Sequence, residues 1–346
     1  MSEYTTKFKV CTFNLLNYIE PPNAYYELEN IYTKAQWAKK EAWLSNQISV
    51  LAADIIGFQE VFSPEALKTL VSKHNLPFFQ TVSEPGVDQH HVFNQPVVAI
   101  ASRFPIISAT EVKVNESLIN ELKLEPDFNF SRAPIRAEIA IDGFSTIIVY
   151  VVHLKSKRSK FERETVDHKL DENAVREHML ADIHGRWASN IQRGTEASML
   201  YQDFAEQMRI NERPTIVLGD LNDTIESAVL QQLVAGRNMD RLGFRLISGL
   251  SKEERRSIAR YSLFDAFDLN TNPKNSKRKP THYFANKGNT LDYILMSKDF
   301  NAEYDHSLAT VSDLDVSNNH LENPVYENDA ECSDHAPVMA TVEVRF

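Results

Sequence analysis

TIVLGDLND, residues 215–223, compresses the reading of this chain into nine positions. Thr215–Leu218 is an apolar, β-branched run of the kind that forms a strand buried on both faces. The run stops at Gly219, and Asp220 and Asn222 follow at once. A tight turn would explain Gly219 and Asp220 by themselves. Polar groups that close a buried strand also stand where, in α/β proteins, loops gather into one crevice.

The same form recurs outward in both directions. Strands are predicted at Phe8–Phe13, Ile55–Gln59, Val97–Ala101, Ile135–Ile141, Thr146–His153, Leu291–Met296 and Val338–Val344. Asn14 closes the first, in KVCTFNLLN, and Glu60 closes the second, in DIIGFQEV. His153 ends IIVYVVHLKSK, Asp292 stands in NTLDYILMS, and Asp334 with His335 precedes the last strand in CSDHAPVMATV. Each alone reads as a helix cap, a loop acceptor or a packed histidine. Their recurrence at one strand end after another is what points to a site.

Helices are predicted over Lys34–Leu51 and within Glu172–Met208, the latter broken near Gly194. A short one follows Ser63-Pro64, with the serine as cap and the proline in the first turn. Asp305–Asp329, polar and Asn-rich, reads as a long surface loop, and Lys274–Pro280 as a basic loop. Strands and helices interleave without a linker, so residues 1–346 are expected to form one α/β domain with its core at about 8–344.

With 37 Lys and Arg against 48 Asp and Glu, the formal net charge is −11, which argues against binding nucleic acid by bulk electrostatics. It leaves a nuclease open, because an acidic site binds cations first and the cations then bind phosphate. No run of apolar residues is long enough to span a membrane. MSEYTTKFKV has no basic segment followed by an apolar one, so a cytoplasmic location is expected, with secretion of a trimmed form as the alternative. A monomer is expected. Cys11 and Cys332 are expected to be reduced core thiols; a disulfide requires the fold to bring them together. No dinucleotide fingerprint, P-loop or nucleophile elbow is present.

Taken in order, FNLLN, GFQE, GDLND, LDYIL and SDHAPV resemble the endonuclease/exonuclease/phosphatase superfamily of DNase I-like proteins, from about Phe8 to Val344. That resemblance implies a four-layer α/β sandwich, with two packed, mixed and mostly antiparallel sheets flanked by helices. It implies Glu60 as the main metal ligand, with Asn14 and Asp334 as partners. The cation is expected to be Mg²⁺ or Mn²⁺, because hard cations prefer oxygen donors.

The chemistry accounts for the residue types. Phosphate ester hydrolysis needs a cation on the phosphoryl oxygens, an activated water and help for the leaving oxygen. His335 is the candidate base, with Asp292 holding its tautomer. Asp220 and Asn222 are expected to orient the water and support the developing charge. By resemblance His153 is a general acid or phosphate ligand, as in DNase I-like and sphingomyelinase-like members. Apurinic endonucleases have Tyr at that place and an acid where this chain has Leu16. The carboxylate that supports the matching histidine of DNase I is replaced by Asn94 and Gln95 in FNQPVVAIAS.

Arg132, in NFSRAPIRAEI, is expected by resemblance to face the substrate phosphate. Two basic clusters flank the motifs: Lys155, Lys157, Arg158 and Lys160, and then Lys274, Lys277, Arg278 and Lys279. Lys155 is a candidate phosphate contact and Tyr283 a candidate stacking platform. The substrate expected is nucleic acid, DNA first. Two alternatives stand: a phosphoesterase acting on a lipid head group or small ester, and a non-catalytic scaffold.

Overall fold

The protein is described here from a computed structural model, which describes residues 6–89, 91–161, 171–234, 250–272 and 277–345. Two six-stranded sheets pack face to face. In the first, the order is Ala309–Val316, Val338–Val344, Lys7–Tyr18, Ile55–Val61, Val97–Ser102 and Phe78–Gln80. In the second it is Leu263–Asp265, Asp292–Ser297, Thr215–Asp220, Ser145–His153, Ile135–Ile141 and Ile106–Glu111. Each sheet has one parallel pair at its centre, Lys7–Tyr18 with Ile55–Val61 and Ser145–His153 with Thr215–Asp220; the other pairings are antiparallel.

Strand alternation divides the apolar residues among three cores. Phe8, Val10, Val149, Val151, Ile216 and Leu218 face the space between the sheets. Their neighbours Cys11, Phe13 and Phe58 face outward onto the helices Lys34–Leu51 and Pro64–Ser72. On the far side Tyr150, Val152, Val217 and Leu295 meet Leu200, Phe204 and Met208 of Glu172–Ile210. The layers are therefore helices, sheet, sheet and helix. Central strands buried on both faces read as continuous apolar runs, which is why they were legible.

Gly219 is required where it stands. A Cβ there would lie 2.4 Å from the carbonyl oxygen and Cγ2 of Val152 on the neighbouring parallel strand. Gly219→Ala is expected to destabilise the protein by about 1–3 kcal/mol through overpacking against backbone, measured as a lower denaturation midpoint.

Three expectations are corrected. Asp305–Asp329 is not a surface loop: it contains the edge strand Ala309–Val316 and the short helices Asn319–Glu322 and Tyr326–Asp329. A bulge between Val311 and Asp313 shifts the inward positions from Ala309 and Val311 to Leu314 and Val316. That extra residue breaks the alternation by which a strand is recognised. Glu172–Ile210 runs unbroken through Gly194, which lies in its interior. Ser63 makes no cap bond; its hydroxyl accepts the Glu20 N–H at 2.8 Å, while Pro64 does open the helix.

Candidate active site

The parallel pairs place the candidate residues. His153 is directly opposite Asp220 in register, and Asp220 is opposite Asp292. Three adjacent strand ends of the second sheet thus present an imidazole and two carboxylates side by side, all buried. In the first sheet Asn14 is opposite Gln59, next to Glu60. Register shifts follow Asn14 and Phe58, and Leu16, Asn17 and Glu60 have positive φ (50°, 51° and 62°). Asn222 joins them at 55°. Non-glycine residues avoid this region at a cost of roughly 1–2 kcal/mol each. Here the tight backbone turns side chains at the strand ends into the crevice.

Asn14 links the two sheets. Its Nδ2 donates to Asp220 Oδ2 at 3.1 Å and, more weakly, to Glu60 Oε1 at 3.4 Å, and its Oδ1 accepts the Leu16 N–H. The Asn17 N–H donates to Glu60 Oε2 at 2.9 Å. Ser333 Oγ donates to the Asn14 carbonyl and accepts the His335 N–H, tying the last motif to the first.

His335 Nδ1 is 2.8 Å from Asp292 Oδ2, and its Nε2 is 4.0 Å from Asp220 Oδ2. Burial alone would lower this imidazole, but Asp292, Asp220 and Asp334 outweigh it and hold the ring well above its ordinary value. Asp220 is raised to about 7, first by burial and then by the charges of Asp292 and Glu60, with His335 opposing. His153 Nε2 lies 3.4 Å from Asp220 Oδ2. Burial, with the charges of Arg132, His335 and Lys155, holds His153 well below the usual histidine range. Its Nδ1 is buried without a partner, and Asn94 and Gln95 are exposed. The Asn222 N–H donates to Asp220 Oδ1 at 2.8 Å, and its side chain to the Leu154 carbonyl at 2.9 Å.

The donor set suits a hard divalent cation. Asp220, Asp292 and His335 bring ligand atoms within 4.8 Å of one another, as do His282, Asp334 and His335. Asp292 Oδ1 and Asn17 Oδ1 are buried with no partner. Asp334 therefore groups with the histidines, while Glu60 meets Asn14 and Asn17. The buried Lys40 ammonium lies within electrostatic reach of both carboxylates, so they border one region.

Some residues were missed from sequence. Asn17 is the last residue of FNLLN, and the sequence gives no sign of the bond from its N–H to Glu60. His282, which closes no buried strand, has its ring 5.0 Å from that of His335. Glu196, buried mid-helix, accepts the N–H groups of Ser131 and Lys155 at 2.7 Å and so fixes the loops carrying Arg132 and Lys155. No local signal marks a glutamate of that kind. Arg132 and Lys155 lie within electrostatic reach of His153.

Tyr283 sits on the small hairpin His282–Phe284/Lys287–Asn289, its hydroxyl bonded to Glu322 at 2.7 Å. In the second basic cluster Arg278 pairs with Asp265 and Lys279 with Asp315; Lys274 is outside the described residues. Cys11 and Cys332 are free thiols. Among the described residues no helix is long and apolar enough to cross a membrane.

A family model described as Endonuclease/Exonuclease/phosphatase family matches residues 11–335. The chain belongs to the endonuclease/exonuclease/phosphatase family. It is a phosphoesterase by that membership, and enzymes of this family generally depend on a divalent metal. No curated protein matches it in sequence. Solved structures of the family share its fold. The human nocturnin catalytic domain, with bound sulfate, is 16% identical, with 98% of this chain and 95% of that one covered and a TM-score of 0.56. A humanized D. rerio TDP2 is 11% identical, covering 98% and 100%, at 0.54. ANGEL2, described as a 2',3'-cyclic phosphatase, is 15% identical, covering 98% and 96%, at 0.53.

Proposed function

We propose that this family member hydrolyses phosphodiester bonds in nucleic acid, DNA first, with Mg²⁺ or Mn²⁺. The observation that carries the reading is the buried His335–Asp292 pair at 2.8 Å, with Asp220 beside it. Asp292 accepts the Nδ1–H, which leaves Nε2 to take a proton from the attacking water. Asp220, fixed by Asn14 and Asn222, receives that water on its other side. The neutral His153 ring faces the leaving oxygen, and Arg132 with Lys155 holds the phosphate. Glu60 with Asn14 and Asp334, joined by the unpartnered Asn17 Oδ1, would hold the cation. The cation supplies Lewis-acid polarisation of the phosphoryl oxygens and offsets the crowded carboxylate charge.

Nucleic acid is favoured over a small ester by charge placement. Arg132, Lys155, Arg158 and Lys160 gather on the His153 side of a chain whose net charge is −11. Supercoiled plasmid is expected to become relaxed circle with Mg²⁺ or Mn²⁺ and to stay intact with a chelator, read on an agarose gel. Plasmid left intact while a small aryl phosphodiester is cut would remove the nuclease reading and support the small-ester one.

A further inference from the structure

Beside the metal-binding region is a cavity of about 310 Å³ that takes no part in the chemistry above. Leu16 lines it, and the Leu16 N–H is bonded to the Asn14 side chain. Glu331 and Cys332 also line it, three and two residues before Asp334. Tyr25 and Tyr32 supply aromatic walls, their rings 5.8 Å apart and tilted by 34°. Glu29, Asn30 and Gln36 complete the polar lining. Tyr32 lies within electrostatic reach of both Glu60 and Glu331.

This cavity is polar, aromatic in part and lined by two carboxylates, with the Lys40 ammonium 5.5 Å from the Tyr32 ring, and the lining narrows its ligand. Its size is at the lower end of small-molecule sites. Carboxylates at Glu29 and Glu331 repel phosphate, so the sugar–phosphate backbone belongs outside the cavity with Arg132, which meets Tyr26 beside the cavity-lining Tyr25, and with Lys155. Tyrosine rings stack on planar heterocycles. Carboxylates accept hydrogen bonds from exocyclic amino groups, as they do from the cytosine N4 amine.

We infer that this cavity receives the nucleobase next to the scissile phosphate and favours bases that carry an amino group. Thymine and uracil lack that amine: they offer a single ring N–H between two carbonyl oxygens, which Glu29 and Glu331 disfavour. The inference rests on the nuclease reading and assigns its specificity.

The test is cleavage of short single-stranded oligonucleotides of dA, dC and dT, and of one lacking bases. Wild type is expected to cut the dA and dC runs with kcat/KM about tenfold or more above the dT and base-free ones. Tyr32→Leu should raise KM on oligo(dA) roughly tenfold with kcat within about twofold, Tyr32→Phe should not, and the base-free substrate should be indifferent to both. Glu331→Gln should narrow the gap between dA and dT; it changes one atom of a half-buried side chain and carries the test if Tyr32→Leu fails to fold. Equal cutting of all four substrates by wild type, or equal losses on intact and base-free strands in Tyr32→Leu, overturns the inference while the nuclease reading stands. A wild type that cuts none of them and leaves plasmid intact, yet cuts a small aryl diester, removes both; one that nicks plasmid but cuts none of them overturns the inference alone.

Discussion

His335→Ala is expected to lower kcat for phosphodiester cleavage by about 10²–10⁴-fold, the range that a positioned base contributes. KM should change little, because the ring acts on the water rather than on the substrate. The loss should exceed that of any surface cation. Asp292→Asn is the sharper companion. Asp292 and Asp220 hold the His335 imidazole well above its ordinary value. A base must be unprotonated to act, so activity rises with pH as the ring loses its proton. Removing the Asp292 charge lowers that threshold, and the acid limb of the kcat profile should move to lower pH even as the maximum falls. A pH–rate profile with an unmoved acid limb would separate His335 from the base role. Full activity in His335→Ala would remove the assignment outright.

Glu60→Gln should raise the Mg²⁺ or Mn²⁺ concentration needed for half-maximal activity by more than about 100-fold, since outer-shell partners alone are worth 10–100-fold. Glutamine keeps the size of the side chain and one carbonyl oxygen but not the charge that a hard cation prefers. Its backbone already occupies the left-handed region at φ 62°, and the bond from the Asn17 N–H can be kept by the amide oxygen. The fold should therefore survive, with an unchanged melting midpoint in the absence of metal. Calorimetric titration with Mn²⁺ reads the effect directly. Unchanged metal affinity in a folded Glu60→Gln protein would move the cation to Asp220, Asp292 and His335, which already converge without Glu60.

The amino-acid order alone determined the strands that matter and the identity of most groups at their ends. Thr215–Asp220 and Ser145–His153 are buried on both faces, so their apolar runs are continuous and end abruptly where the polar chemistry begins. Lys34–Leu51 was legible for a different reason, the near-helical spacing of Trp37, Leu44, Ile48 and Leu51, all four buried. The edge strand Ala309–Val316 was not, because its bulge falsifies the period on which recognition depends.

Only the tertiary structure decided which of these groups meet. Register across three strands puts His153, Asp220 and Asp292 in one row, and a serine hydroxyl draws His335 to Asn14 from the other end of the chain. The same holds for Asn17, His282 and Glu196, whose placement depends on residues far away in sequence. Side-chain chemistry is local and can be read one residue at a time. Proximity is set by packing of two sheets against each other, and no stretch of chain contains it.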